Sequence, residues 1–457
     1  MFDISAVILA AGEGKRMKSE IPKVIHKVMG KPLVSWVMEA CTFSGAEDLT
    51  LVVGHKADAV RSALPNDTSY VIQHERLGTG HAVMQAEKCI SNSKTVIVLC
   101  GDTPLISGET LKAAVNYKND NNMSAVILSA DFENPFGYGR IIKNDKNEVL
   151  KIVEEKDASK QEKAVTECNS GTYVFNSEDL LDALLKIDNK NSQGEYYLTD
   201  TIEIILKNQK KVGSFMIKNE KEVLGINDKL QLAEANAIMK VRINEEHMRN
   251  GVIIEDPSTT YIEKGVKIAS DTVIMPNTTI TGETEIGSNN VIGPNTIIKN
   301  SKIGNDNEIL ASVVTDAVVE NGVHVGPFAY LRPKAHICDN AKIGDFVEIK
   351  NANIGEGTKV SHLTYIGDAD VGKKCNFGCG TVFVNYNGRD KNRSVIGDNA
   401  FIGCNTNIVS PVNVGEYSYT AAGSTITEDV PSGALGIGRA KQVNKDGWVD
   451  DRGYLKK

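Results

Sequence analysis

Along most of the chain from Gly251 to Ile437, aliphatic residues recur at every sixth position. Ile286-Gly287 is followed by Ile292-Gly293, Ile303-Gly304 by Ile309, Ile337 by Ile343-Gly344 and Ile349, and Ile354-Gly355 by Val360 and Ile366-Gly367. The series resumes at Ile396-Gly397, Ile402-Gly403 and Ile408, then at Val414-Gly415, Thr420 and Ile426. No helix has this period, and the strands of a sandwich would alternate with period two. A hexapeptide repeat predicts a parallel β-helix, a rigid prism whose stacked strands bury one aliphatic column. Asn, Asp, Thr and Gly between the aliphatics supply the corners. The spacing slips near Asn353 and Asp370, and the break from Phe383 to Arg393, read as insertions that loop out of one face.

The first half has another rhythm. Ser5–Ala10 is an apolar run that stops at Ala11-Gly12-Glu13-Gly14, as a buried parallel strand entering a glycine-rich loop does. Strand signals return at Leu49–Val53, Tyr70–Gln73, Thr95–Cys100 and Ser124–Ala130. Helix-period segments lie between them at Leu33–Phe43, Gly80–Cys89 and Glu109–Tyr117. This alternation predicts a mainly parallel sheet covered on both faces, with ligands beyond the carboxyl ends of the strands. Residues 1–228 form this domain, and Lys229–Met248, rich in helix formers without Pro or Gly, predicts a linker helix within residues 229–250. Residues 251–457 are the prism and a polar, basic tail that contains Trp448 and Tyr454.

Composition narrows the function. The chain of 457 residues has 41% hydrophobic content and a net charge of −8, which argues against nucleic acid or an anionic membrane as main partner. No apolar run approaches membrane-spanning length, and a strand begins within a few residues of Met1, so neither signal peptide nor anchor is expected. The eight Cys form no CxxC pair, which suggests reduced thiols in the cytoplasm rather than a zinc site.

The loop Gly12-Glu13-Gly14-Lys15-Arg16-Met17, with Pro22-Lys23 after it, sets backbone amides and cations at the mouth of a parallel sheet, which suits a polyphosphate. It is no dinucleotide fingerprint, since Met17 stands where a third Gly is needed. It is no Walker A loop either, since Arg16 stands where Ser or Thr must follow Gly-Lys. Asp102, in Gly101-Asp102-Thr103-Pro104 after a strand, is either a helix or turn cap or a metal ligand. Glu154 lies in a charged run that suits a solvated face equally well, and Asn169 and Asn227 fit turns.

The run Leu9-Ala10-Ala11-Gly12-Glu13-Gly14-Lys15-Arg16-Met17 with Pro22-Lys23-Val24-Ile25-His26 resembles the signature of sugar-1-phosphate nucleotidylyltransferases. Gln73 before Leu77-Gly78-Thr79-Gly80-His81-Ala82, Tyr138-Gly139-Arg140-Ile141, Glu154-Glu155-Lys156, Asn169-Ser170-Gly171, Gly194-Glu195-Tyr196-Tyr197-Leu198-Thr199-Asp200 and Gly225-Ile226-Asn227 extend the match. With the hexapeptide prism, the chain from Ser5 to about Gln442 resembles the bifunctional family that joins glucosamine-1-phosphate N-acetyltransferase to N-acetylglucosamine-1-phosphate uridyltransferase. The resemblance implies an α/β nucleotidylyltransferase (Rossmann-like) domain followed by a left-handed parallel β-helix. It also implies a cytoplasmic homotrimer that makes UDP-N-acetylglucosamine for cell-wall and envelope precursors.

By that resemblance Leu9, Ala10, Ala11, Gly12, Gln73, Gly78 and Thr79 hold the nucleoside of UTP, and Arg16 and Lys23 meet its phosphates. Gly139, Glu154, Asn169 and Asn227 hold N-acetylglucosamine-1-phosphate, and Asp102 and Asn227 share Mg²⁺. Mg²⁺ prefers oxygen ligands and commonly joins a carboxylate to substrate phosphates. In the prism His362 is the implied general base. Histidine is the one residue type among the candidates there suited to proton transfer near neutrality, although an outward His is also ordinary surface, as His324 and His336 are read to be. Arg332, Lys350, Tyr365 and Asn376 are implied to bind glucosamine-1-phosphate, and Asn385, Tyr386, Cys404, Ala422 and Arg439 to line the acetyl-CoA slot. Plain surface charge is the competing reading of Arg332 and Lys350. The sequence departs from the family at Lys15, where Thr is common, at Cys100, where Tyr is common, and at Cys404, where Ser is common and a thiol donates more weakly. The competing readings are a nucleotidylyltransferase whose β-helix is only a regulatory or assembly scaffold, and a non-catalytic sugar-nucleotide binding subunit.

Overall fold

The strand Phe2–Ala10 runs through the middle of the first sheet, with Val7 facing one hydrophobic cluster and Ala6, Ile8 and Ala10 the other. Burial on both faces is why this strand reads as an unbroken apolar run. The computed structural model describes residues 2–454. The sheet order is Val212–Met216, Ala125–Asp131, Glu167–Asn176, Ser93–Cys100, Phe2–Ala10, Asp48–Val53 and Ser69–Ile72. Glu167–Asn176 alone runs antiparallel to its neighbours along this path. It carries a bulge between Asn169 and Tyr173, where Gly171 has a φ of 76°. An antiparallel arm, Arg140–Lys143 with Val149–Val153, joins it through the pair Cys168 and Arg140.

The helix expected over Gly80–Cys89 is two short ones, Thr79–Met84 and Glu87–Ser91, broken at Gln85 and Ala86. The long helix is Lys229–Arg249, opened by Asp228, whose Oδ1 accepts from the amides of Leu230 and Gln231 at 2.9 Å each. The chain divides within this helix into two compact units, Met1–Met239 and Lys240–Lys457.

In the second unit every column residue is buried. Ile343, Ile349, Ile354, Val360 and Ile366 have no exposed surface. Burying one such side chain contributes about 2 kcal/mol. Three faces take turns along each coil. One holds Tyr330, Glu348, Tyr365, Val382 and Asn407 in parallel register, the next His336, Asn353 and Asp370, and the third Lys342, Lys359, Asn376 and Phe401. Asn and Asp make many of the corners in the left-handed backbone region, as at Asn340, Asn351, Asp368, Asn399 and Asn405. These are the side chains that tolerate it best after Gly.

The slips near Asn353 and Asp370 are not insertions. From Ile349 to Ile354 and from Ile366 to Val371 the corner has lost a residue, so the strands Glu348–Ile354 and Tyr365–Val371 run through it unbroken. The break is also shorter than expected: Phe383 is a buried column residue in the strand Val382–Val384, and the excursion begins at Asn385. It closes on itself through Asn392 N–H to Asn385 O at 2.8 Å and a bridge between Tyr386 and Lys391.

Candidate functional site

In the first unit the carboxyl ends of the central strands open into a cleft of about 260 Å³, lined by Leu9, Ala10, Ala11, Gly12, Lys23, Gln73, Gly78, Thr79 and Asp102 among others. A second hollow of about 210 Å³ is lined by Tyr138, Gly139, Glu154, Asn169, Gly171 and Thr199, and shares Leu9, Thr79 and Cys100 with the first. Two expected residue sets therefore meet at one mouth. Gly78 has a φ of 111°, and a Cβ there would come within 2.6 Å of Tyr196 O, so the backbone can lie this close only as glycine. The bulge at Asn169 turns that side chain into the second hollow. Its amide donates to Tyr173 Oη at 2.7 Å.

Lys23 bonds Asp102 Oδ2 and, at 3.1 Å, Asn227 Oδ1. Asn227 spends its Nδ2 on Gly225 O, which turns its oxygen toward the ammonium, and Ile226 N–H donates to Asp102 O at 2.9 Å. A carboxylate and an amide oxygen thus converge on one cation, and hard oxygens aimed at one point suit Mg²⁺. Gly14 lies against the same lysine, since its added Cβ would meet Lys23 Cβ at 2.7 Å, at a φ of 66°. Arg16 is exposed on the short turn Lys15–Met17 and does not line the cleft. The arginine that does is Arg76, bound to Glu13 at 2.8 Å, and sequence reasoning missed it.

Burial pushes the Glu154 carboxyl up, against a bond from Thr199 at 3.3 Å. Burial and Glu154 push Asp200 up to about 6. Burial, with the Asp102 carboxylate, pushes the Cys100 thiol up to about 12, so at this departure a neutral thiol faces both hollows. The loop before Gly139 is held by buried Arg140, which donates to Tyr138 O and to Glu155 at 2.8 Å.

In the second unit most of the expected residues gather on one face and its two corners, whereas Asn376 and Tyr386 lie off it. Arg332 and Lys350 follow the column residues Leu331 and Ile349 on adjacent coils, which are in register. Asn385 occupies the same corner and donates to Tyr365 Oη at 3.5 Å and to Asp368 at 2.5 Å. Arg332 pairs with Glu348 at 2.5 Å. Lys391 of the excursion crowds Lys350, with burial and Arg332 adding to it, and holds its ammonium below the usual lysine range. Three cations pressed together favour a multiply charged anion among them. Lys391 was not legible from the repeat, because it comes from the non-repeating loop.

His362 stands at the other edge of that face. Two residues past the column positions Ile343, Val360, Phe377, Ile402 and Thr420 come Asp345, His362, Cys379, Cys404 and Ala422, one above the other. Arg439 reaches this edge, its Cδ 3.8 Å from where a Cβ on Gly423 would lie. His362 Nδ1 lies 2.6 Å from Asp345 Oδ1, and the imidazole holds that carboxyl below its usual range. An Nδ1–H donated to Asp345 leaves the Nε2 lone pair free to take a proton. His324 and His336 also have carboxylate partners, Glu308 at 2.6 Å and Glu320 at 2.7 Å, so pairing alone does not mark a base. The edge of His362 differs in its neighbours. Phe328, Phe346 and Leu363 line it, 60%, 57% and 57% exposed, each in the left-handed backbone region where bulky residues are rare. Asn376 lies on the face before this corner, aligned with Lys359 and away from Tyr365. Tyr386 is exposed on the excursion, with its Oη donating to Gly388 O at 2.7 Å.

A Nucleotidyl transferase family model matches residues 5–259, and a Bacterial transferase hexapeptide (six repeats) model matches 265–300, 316–351 and 393–428. A "Bifunctional protein GlmU" of Acetivibrio thermocellus is 51% identical over 99% of this chain and 98% of its own. One of Clostridioides difficile is 51% identical over 98% of each chain, and one of Clostridium novyi 53% identical over 99% of each.

Proposed function

Because this chain belongs to the bifunctional GlmU family, whose members are uridyltransferase and acetyltransferase in one polypeptide, we propose that its two sites act in sequence on one sugar phosphate. The prism acetylates glucosamine-1-phosphate with acetyl-CoA. The first unit then transfers UMP from UTP to N-acetylglucosamine-1-phosphate, which gives UDP-N-acetylglucosamine and pyrophosphate. The observation that carries this reading is the pair of separate donor sets: oxygens of Asp102 and Asn227 aimed at one cation in the first unit, and Arg332, Lys350 and Lys391 crowded together in the prism.

In uridylyl transfer the glycine loop, Gln73, Gly78 and Thr79 hold the nucleoside, and Gly139, Glu154 and Asn169 orient the sugar so that its phosphate oxygen attacks the α-phosphorus in line. Mg²⁺ on Asp102 and Asn227 would neutralise charge on the phosphates. Lys23 is already beside both oxygens, and Arg16 has to fold inward from its exposed turn to reach the leaving pyrophosphate.

In acetyl transfer Arg332, Lys350 and Lys391 grip the sugar phosphate and Tyr365 fixes the ring, with Asn376, a face away from Tyr365 on its own prism, supplied by a neighbouring copy. His362, oriented by Asp345, takes the proton from the ammonium so that the free amine attacks the thioester. Asn385, Tyr386, Cys404, Ala422 and Arg439 form the slot for the long acyl carrier. His362 and the cations occupy opposite edges of one face, so a single prism cannot enclose the reaction. A homotrimer supplies the missing wall, and the exposed stripe Phe328, Phe346 and Leu363 beside His362 is the surface we expect a neighbouring copy to cover. No described helix is long and apolar enough to cross a membrane, and a cytoplasmic location is part of the same proposal.

Following thiol release and pyrophosphate release separately tests the division. His362→Ala should lower acetyl transfer about 100-fold or more, as loss of a general base does, and leave pyrophosphate formation from N-acetylglucosamine-1-phosphate intact. Asp102→Ala should do the reverse, by about 100-fold. Loss of both reactions in either folded variant would disprove two independent sites.

A further inference from the structure

Outside both sites, one group of three described residues could hold a metal ion: Glu320, His336 and Cys338, whose ligand atoms all lie within 4.8 Å of one another. We propose that they form a site for a thiophilic divalent cation of the zinc class, with a fourth position open to water. The backbone builds it. His336 and Cys338 flank the inward Ile337, so both point out of the same face. Val319 is in register with Ile337, which sets Glu320 directly over Cys338 on the next coil. His336 Nε2 already lies 2.7 Å from Glu320 Oε1.

The same registers set Gly304 beyond Glu320 and Gly355 beyond Cys338, so no side chain crowds either ligand along the ladder. Lys373, a cation that acts on the Cys338 thiol, is paired with Glu356 at 3.2 Å. One imidazole nitrogen, one carboxylate oxygen and one thiolate sulfur are a donor set that zinc takes and magnesium does not. The pair His324 and Glu308, which repeats the imidazole and carboxylate on the neighbouring face without a cysteine, is a built-in control.

Metal-stripped full-length protein, titrated with Co²⁺ in the presence of excess Mg²⁺ to fill oxygen-only sites, provides the test. One equivalent should raise a thiolate-to-cobalt charge-transfer absorption, and Zn²⁺ should abolish it by displacement. Cys338→Ser should remove the absorption and His336→Gln should weaken binding, whereas His324→Gln should leave both unchanged. Circular dichroism and unchanged pyrophosphate release establish that each variant is folded; should Cys338→Ser fail to fold, His336→Gln decides. An absorption that survives these two substitutions, or none at one equivalent, overturns the site.

Discussion

The two sites solve opposite problems. In the first unit the sheet is concave at its carboxyl edge, and loops after several strands converge on a buried mouth, so one chain completes the site and pays in carboxyls held at raised values, as at Glu154 and Asp200. The prism is convex and offers only corners. His362 stands at one edge of a face and Lys350 at the other, and in the function proposed above a neighbouring copy completes the site between them. On that proposal a concave scaffold gathers its residues from one chain, whereas a convex one borrows them from a neighbour.

The largest expected effect follows from that contrast. His362→Ala and Lys350→Ala proteins should each be nearly inactive in acetyl transfer. Co-expressed and purified as mixed oligomers, they should regain activity about 100-fold above either parent, because some junctions combine an intact His362 with an intact Lys350. Asp102→Ala mixed with a Glu154→Ala protein should regain no uridylyl transfer, since both residues serve one chain's site. Absence of recovery in the first mixture would show that a single prism holds the whole acetyl-transfer site.

Smaller is the effect of the excursion. Lys391→Ala should raise the KM for glucosamine-1-phosphate about tenfold, the value of one charge-assisted contact, with kcat and the uridylyl reaction nearly unchanged. An unaltered KM would remove Lys391 from the phosphate grip.

The smallest effect is on stability. Asp200 has a raised pKa in the fold, so the folded state holds its proton more tightly than the unfolded chain. Its burial therefore costs little at pH 4, and the cost grows as pH rises toward about 6 and levels off above it. Asp200→Asn should accordingly raise the thermal midpoint more at pH 7 than at pH 4. An equal change at both would show that the carboxyl is not strained by burial.

Much of this was legible in the sequence. Period six fixed the prism, because one inward aliphatic per half-dozen residues leaves no other way to bury a column. The glycine loop and Asp102 were readable because they follow an apolar strand directly. What was hidden came from contacts between distant residues. Asn169 reaches its hollow only because an antiparallel strand inserts between two parallel ones and bulges there, and no local pattern announces that. Asp345 and His362 are 17 residues apart and meet only across stacked coils. A shortened corner and an inserted loop shift the repeat alike, which is why Asn353 and Asp370 were misread: strands that turn without a break leave the same mark on spacing as strands that pause.

The excursion from Asn385 leaves and rejoins the stack at a single corner, with Asn392 bonded back to Asn385 and the strand Ser394–Ile396 resuming the ladder. The backbone ladder of the coils on either side continues past it, and only side chains such as Lys391 and Arg393 reach back onto those coils. Substrate preference in the prism is therefore free to drift through this one stretch, on a frame whose own folding never has to be renegotiated.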